Sequence, residues 1–374
     1  MKPLKITDDR AEMEGIGRDM VNQYPKVYTK GTIDAINQKI RYYMPLISFE
    51  ERQKLLYRSV YHYWVYGCNI GEYLYLGFEG RCHAEKKEYM TSRWKFEYYG
   101  HLNDLNISKS LFANKFEAYK LLNKYYLREI ICLEGKQDFD KFVEFVHKHP
   151  SFYVKPTDLD LGIGVHRIDT DLNTNLKELF DSLLYEGTNM HKDISYRKSN
   201  AIVLEEPIIQ DAALAKIHPS SVNAIRLPTV RVNGKVHFYY PWLKTGVGGA
   251  DIASEAMRGA AMIGIDAETG VLNTHGFGEN NDVYMRHPDT GVWYLGYQIP
   301  KWKELIEVAT QVAESLPESI NYVGWDYVLT PKGWCIMEGN DTGAFMWQVF
   351  HQKGMRKDFE DLIGWKSEKQ FWWE

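Results

Sequence analysis

Asp326, Glu338 and Asn340 stand in one run, Val323 to Asn340, whose residue types and spacing suit a hard divalent cation. Two apolar, aromatic segments flank Thr330-Pro331-Lys332-Gly333, a pattern that reads as a β-hairpin. Pro at the second position of a type I turn, followed by a left-handed Gly, gives a three-residue loop with a bulge. That loop pairs Thr330 with Trp334, and counting back sets Asp326 opposite Glu338. Asn340 shares their face because side chains alternate along a strand. Facing carboxylates repel, and apolar neighbours leave little water to screen them. Two carboxylates and an amide oxygen around Mg²⁺ would resolve the conflict; a solvated edge hairpin with unpaired acids is the alternative.

Other residues upstream could handle phosphate. Phe152-Tyr153-Val154-Lys155-Pro156 reads as a short strand ending in a lysine, and Thr157 to Val165 follows with Gly162 and Gly164. A strand-terminal lysine before a glycine-bearing loop can hold polyphosphate, with backbone N–H groups facing the ligand. A plain hairpin loop fits the same residues, since neither a Walker loop nor a dinucleotide fingerprint occurs. Arg226 follows His218-Pro219-Ser220-Ser221-Val222-Asn223-Ala224-Ile225 and shares a strand face with Pro228 and Val230. A cation on an apolar face needs an anion, either a structural carboxylate or a bound phosphate.

The elements that must position these groups can be read in outline. Residues 1 to about 108 are mainly helical, with an aromatic-rich helix through Tyr57 to Tyr66 that ends near Gly67. The basic and aromatic residues from Arg81 to Lys95 could stack on bases or sugars, or form a solvated helix face with a packed stripe. Ser108 or Ser110 is expected to cap a helix carrying Phe112, Lys115, Phe116, Tyr119 and Leu122. Helices are expected over Asp140–Lys148, Leu176–Glu186 and Trp302–Leu316, the last lying beneath the hairpin. Ala201 to Glu205 reads as a buried strand, and Pro207 marks a change of lobe. Asn233-Gly234 signals a tight hairpin. Strands and helices alternate without a βαβ rhythm, so the class is α+β.

Whole-chain properties exclude other classes. The 374 residues carry a net charge of −5 without long blocks of one sign, which disfavours nucleic acid as the main partner. The start has no apolar signal core, and no stretch is long enough to span a bilayer. Cys68, Cys82, Cys132 and Cys335 are too scattered for zinc or a disulfide framework, and His62, His83 and His101 show no metal spacing. A cytoplasmic protein with reduced thiols is expected.

Taken in order, Asn114-Lys115, Tyr153-Val154-Lys155-Pro156, Leu204-Glu205-Glu206-Pro207-Ile208, Asn223-x-x-Arg226, Gly324-Trp325-Asp326 and Glu338-Gly339-Asn340 resemble the ATP-grasp superfamily. The His218-to-Arg226 run, the glycine pair in Gly246–Asp251 and the Ile265-Asp266 hairpin are similar to its sugar-transfer-associated group, as are Tyr66-Gly67-Cys68-Asn69 and Glu72-Tyr73. The group's Asp-Asn after the glycines is Asp251-Ile252 here. The resemblance implies an α+β ATP-grasp fold, with an N-terminal helical region (1–108), a lobe with the phosphate lid (109–206) and a core lobe with the metal site (207–374). It implies that Lys115, Lys155, Gly162 and Gly164 meet the nucleotide phosphates, and that Glu205, Glu206 and Ile208 form the adenine hinge. Asp211 is the candidate ribose-binding acid. Asp326, Glu338 and Asn340 would hold Mg²⁺, and Arg226, with Lys155, would act on an acyl phosphate. The implied activity is an ADP-forming ligase using ATP and Mg²⁺ to join a carboxylate to an amine, on small-molecule or saccharide substrates, as in polysaccharide modification. The rivals are an ATP-grasp kinase acting on a hydroxyl and a non-catalytic nucleotide-binding module.

Overall fold

The computed structural model describes residues 5–159, 163–193, 199–248, 259–278, 282–343 and 345–367. The chain divides into two compact units, Met1–His101 with Asn280–Asp282 and Ala344–Glu374, and Leu102–Glu279 with Val283–Gly343.

The first unit begins with α1 (Arg10–Gln23), α2 (Lys30–Tyr43), α3 (Phe49–Tyr66), α4 (Ile70–Tyr75), α5 (His83–Lys86) and α6 (Ser92–Leu102). Side chains of Asp9, Thr29, Ser48 and Asn69 cap the N-termini of α1 to α4 by accepting otherwise orphaned amide hydrogens. Helix α3 stops at Gly67, whose φ of 65° is left-handed. Tyr61, Tyr66, Tyr73, Phe78, Tyr98 and Tyr99 are buried in this unit. The basic-aromatic stretch is largely consumed internally: Trp94 is buried, and Arg81 lies over the Tyr89 ring at 5.0 Å.

The second unit holds α7 (Leu105–Phe112), α8 (Lys115–Leu122), β1 (Ile130–Leu133), α9 (Phe139–Lys148), β2 (Ser151–Pro156), β3 (His166–Asp169), α10 (Leu176–Asp193) and β4 (Ile202–Glu205). It continues through α11 (Ala212–Ala215), β5 (Ala224–Val232), β6 (Lys235–Phe238), β7 (Trp242–Gly246), β8 (Ala260–Ile265), β9 (Leu272–Phe277), β10 (Val283–Tyr284), α12 (Trp302–Glu314), β11 (Tyr322–Thr330) and β12 (Gly333–Asn340). The chain then returns to the first unit as α13 (Trp347–His351) and α14 (Arg356–Ile363). Neither Ser108 nor Ser110 caps a helix. Asp104 caps α7, and Asn114 interrupts the run to cap α8, its side-chain oxygen accepting from the Phe116 amide at 3.0 Å.

Two antiparallel sheets organise this unit. The four-stranded sheet runs β1-β4-β2-β3, and the larger runs β10-β9-β8-β7-β5-β11-β12 with β6 paired to β5. Pro207 does mark the passage from one sheet to the other. Ile131, Leu133, Phe152, Val154, Ile202 and Leu204 bury one face of the smaller sheet against α9 and α10. Leu227, Leu243, Ile263, Val323, Trp325 and Tyr327 bury one face of the larger sheet with Trp302, Leu305, Ala309 and Val312 of α12. Alternation then sends Arg226, Lys244 and Asp326 to the opposite face. Among the described residues, no helix is long and apolar enough to cross a membrane.

Candidate active site

Asp326 does face Glu338, but by a different register from the one expected. Thr330 pairs with Gly333 around a two-residue loop, and the ladder keeps that count to Tyr327 opposite Ile336. An irregularity between Asp326 and Tyr327 then takes up Met337 and restores Asp326 opposite Glu338 and Gly324 opposite Asn340. The tighter turn and the bulge shift the register by one residue each, in opposite senses, so the facing pair survives.

The carboxylates are not in conflict. Asp326 is buried, and Arg226 on the neighbouring strand donates to it through Nε at 2.6 Å and Nη2 at 2.9 Å. Lys244 of β7 donates to Oδ2 at 2.9 Å. Burial alone would raise the Asp326 pKa; Arg226 and Lys244 outweigh it and hold the group down at about 2. Burial and the Arg226 charge push Lys244 downward, against the pull of Asp326. Of the two anions expected for Arg226, a structural carboxylate or a bound phosphate, the structure supplies the carboxylate. That partner lies 100 residues away in sequence. Glu338 is the accessible acid, its side chain 35% exposed, with Lys115 Nζ at 3.7 Å from Oε1. Lys115 begins α8, and its ammonium also donates to the Leu159 carbonyl.

On the smaller sheet, Lys155 pairs with Glu205. Arg128 grips the same carboxylate and also donates to the carbonyl of Ile336 at 2.6 Å. Glu205 is buried, which raises its pKa, yet Arg128 and Lys155 bring it to about 2. Gly164 has a φ of 71°, and a Cβ there would sit 2.8 Å from Met190 Sδ, so the loop needs glycine at this point. Gly162 lies outside the described residues. Glu206 accepts from the Glu129 amide at 3.0 Å and lies 3.5 Å from Lys332. Ile208 packs against Ala224, Val328 and Cys335. Asp211 caps α11 by accepting from the Ala213 amide at 2.8 Å. Lys244 and Arg128 went unnoticed in the sequence. Lys244 carried a readable signal, a lone cation inside the apolar strand Trp242-Leu243-Lys244-Thr245, the same signal that singled out Arg226.

Five cations (Lys115, Arg128, Lys155, Arg226, Lys244) thus meet three carboxylates (Glu205, Asp326, Glu338), an excess of two positive charges around the two antiparallel sheets. That arrangement, a lysine-bearing small sheet and a larger sheet carrying an acid-rich hairpin, is the ATP-grasp fold. The family model described as sugar-transfer associated ATP-grasp matches residues 93–362, and the chain belongs to that family. Among solved structures it is similar to VanG D-Ala:D-Ser ligase from Enterococcus faecalis, with 12% identity, 69% of this chain and 62% of that one covered, and a TM-score of 0.41. D-alanyl-alanine synthetase A from Vibrio cholerae O1 biovar eltor matches with 14% identity, 64% and 60% coverage, and a TM-score of 0.36. The ATP-grasp ligase PsnB, complexed with a phosphomimetic variant of its minimal precursor, Mg and ADP, matches with 10% identity, 70% and 60% coverage, and a TM-score of 0.40. The match spans from 60% to 62% of the length of those chains. No curated protein matches the sequence.

Proposed function

We propose that the protein is an ADP-forming, Mg²⁺-dependent ligase that activates a carboxylate with ATP for attack by an amine. The observation that carries this reading is the cation excess around Asp326 and Glu338, which suits a polyphosphate and a transferring phosphoryl group. Membership of the sugar-transfer associated family supports a saccharide or sugar-conjugate substrate and a role in polysaccharide modification. A cytoplasmic site of action, where ATP is abundant, goes with this reading.

The residues fit a magnesium ion. Mg²⁺ takes oxygen ligands and combines one or two carboxylates with substrate phosphates and water. Glu338 and Asn340 offer oxygens on the edge strand, and Asp326, with three hydrogen bonds accepted, retains a lone pair on Oδ1. The ion would supply charge neutralisation at the phosphates when bound. Lys115 and Lys155 would contact the nucleotide phosphates, with Gly162 and Gly164 in the lid above them. The Lys155 ammonium has donors beyond the one turned to Glu205. Glu205, Glu206 and Ile208 would border the adenine, and Asp211, whose Oδ1 caps α11, would offer its other oxygen to a ribose.

The substrate carboxylate oxygen attacks the γ-phosphorus, and the bond to the ADP oxygen breaks. The amine then attacks the acyl carbon, phosphate leaves, and the amine loses a proton. Arg226 and Lys244, held by Asp326, face the charge that develops on the phosphoryl and acyl oxygens. Water exclusion by the lid protects the acyl phosphate. The test is a panel of uronic acids and amino acids assayed for ATP-dependent hydroxamate in the presence of hydroxylamine. Hydroxamate with stoichiometric ADP is the expected result. Phosphorylated substrate without hydroxamate would make the protein a kinase, and no ATP turnover with any acid would favour a binding module.

A further inference from the structure

Beyond the nucleotide site, His218, His287 and Asp289 converge at the end of β7. One ligand-type atom from each lies within 4.8 Å of the others. The imidazoles are buried, with ring centroids 5.1 Å apart and planes inclined by 19°. Two imidazoles bound to one tetrahedral ion through bonds of about 2 Å place their centroids roughly 5 Å apart, the ring spacing found here, and an ion would draw the three donor atoms in to about 3.3 Å from one another. His218 Nδ1 is 3.9 Å from Asp289 Oδ2.

The hydrogen bonds of His287 fix which nitrogen is available. Nε2 lies 2.8 Å from the Gly246 carbonyl, which makes it the N–H donor and leaves the lone pair on Nδ1. A metal-bound histidine is ordinarily oriented in this way, its other nitrogen donating to a backbone carbonyl. Nδ1 now accepts two long bonds, from the amides of Asp289 at 3.2 Å and Thr290 at 3.4 Å, and these are what an ion would displace. Burial lowers the His287 pKa, which favours the neutral, ligating form. Asp289 is exposed at the rim, its Oδ2 accepting from the Gly248 amide at 2.8 Å.

We propose that His218, His287 and Asp289 form a binding site for a zinc-class divalent cation, separate from the magnesium site. Two nitrogens and one carboxylate oxygen suit zinc better than magnesium, and three protein ligands leave a position open to water or substrate. A Cβ at Gly246 would lie 3.0 Å from the His218 ring, and Gly246 shares its sheet face with Lys244, two residues back along β7. The site therefore lies on the face that bears Arg226, Lys244 and Asp326, about 7 Å along the strand.

The experiment is equilibrium dialysis of the chelator-stripped full chain against Zn²⁺ with excess Mg²⁺, with metal analysis and the visible spectrum of the Co²⁺ form. A single zinc ion per chain, and a tetrahedral cobalt spectrum, are expected. Asp289→Ala should weaken zinc binding by about ten-fold or more, and His218→Gln should do the same. Glu338→Gln should leave it unchanged while impairing magnesium binding, so this inference and the ligase reading fail separately. Absence of bound zinc at micromolar free metal overturns the proposal, as does an Asp289→Ala protein that folds by circular dichroism and binds zinc like the parent.

Discussion

Asp326 and Glu338 face one another, yet their surroundings divide their work. Asp326 neutralises two largely buried cations, whereas Glu338 is half-open to solvent beside Lys115. Asp326→Asn therefore strands Arg226 and Lys244 and should cost about 3–5 kcal/mol in urea unfolding. Glu338→Gln should cost less than about 1 kcal/mol while abolishing magnesium-dependent turnover. Equal stability losses in the two variants would refute this division. The same ion pairs set an acid limit. Asp326 and Glu205 have folded pKa values of about 2, below their ordinary 3.8 and 4.5. A depressed carboxylate contributes stability above its unfolded pKa and loses it as pH falls through the folded one. Stability should thus drop between about pH 4.5 and pH 2, and the Asp326→Asn variant should show a shallower fall over that window.

At the scale of elements, the hairpin of β11 and β12 shows what local sequence can and cannot settle. Thr330-Pro331-Lys332-Gly333 announced a turn, and the apolar runs announced strands. The loop length and the bulge at Met337 depend on the packing of both faces, and only their cancellation kept the acids opposed. Cap assignment failed at Ser108 because several polar residues competed within one turn's length. The Arg226–Asp326 pair was illegible because β5 and β11 meet only through the sheet order. Residue types were readable; partners distant in sequence were not. Gly333 has a φ of 117°, and a Cβ there would meet nothing within 4 Å. Gly333→Ala should therefore lose about 1–3 kcal/mol from backbone strain alone. Magnesium affinity of the folded protein should be unchanged, measured by titration beside a urea curve. An unaltered midpoint would show that the turn relaxes at no cost.

At the scale of the whole chain, Arg128 joins the two sheets that carry the site. Its guanidinium binds Glu205 on β4 and donates to the Ile336 carbonyl, with a longer contact of 3.4 Å to the carbonyl of Met337, the residue taken up by the bulge. Glu205 in turn holds Lys155. One buried side chain thus ties the phosphate lysine of the small sheet to the strand that presents Glu338 and Asn340. Removing Arg128 leaves Glu205 short of a partner and exposes the bulge carbonyls, while removing Glu205 leaves the guanidinium without its counter-charge. Each single variant, Arg128→Met or Glu205→Gln, should cost about 3–5 kcal/mol. The double variant removes both charges at once: the carbonyls lose their donor as in Arg128→Met, but the only charge left without its partner is Lys155, whose side chain is 21% exposed and can solvate. Its loss should be smaller than the sum of the singles, with a coupling of about 1–3 kcal/mol. Urea unfolding of the four proteins measures that coupling directly. Additive losses would mean that Arg128 serves the bulge carbonyls alone, and that the two sheets are joined by apolar packing rather than by this ion pair.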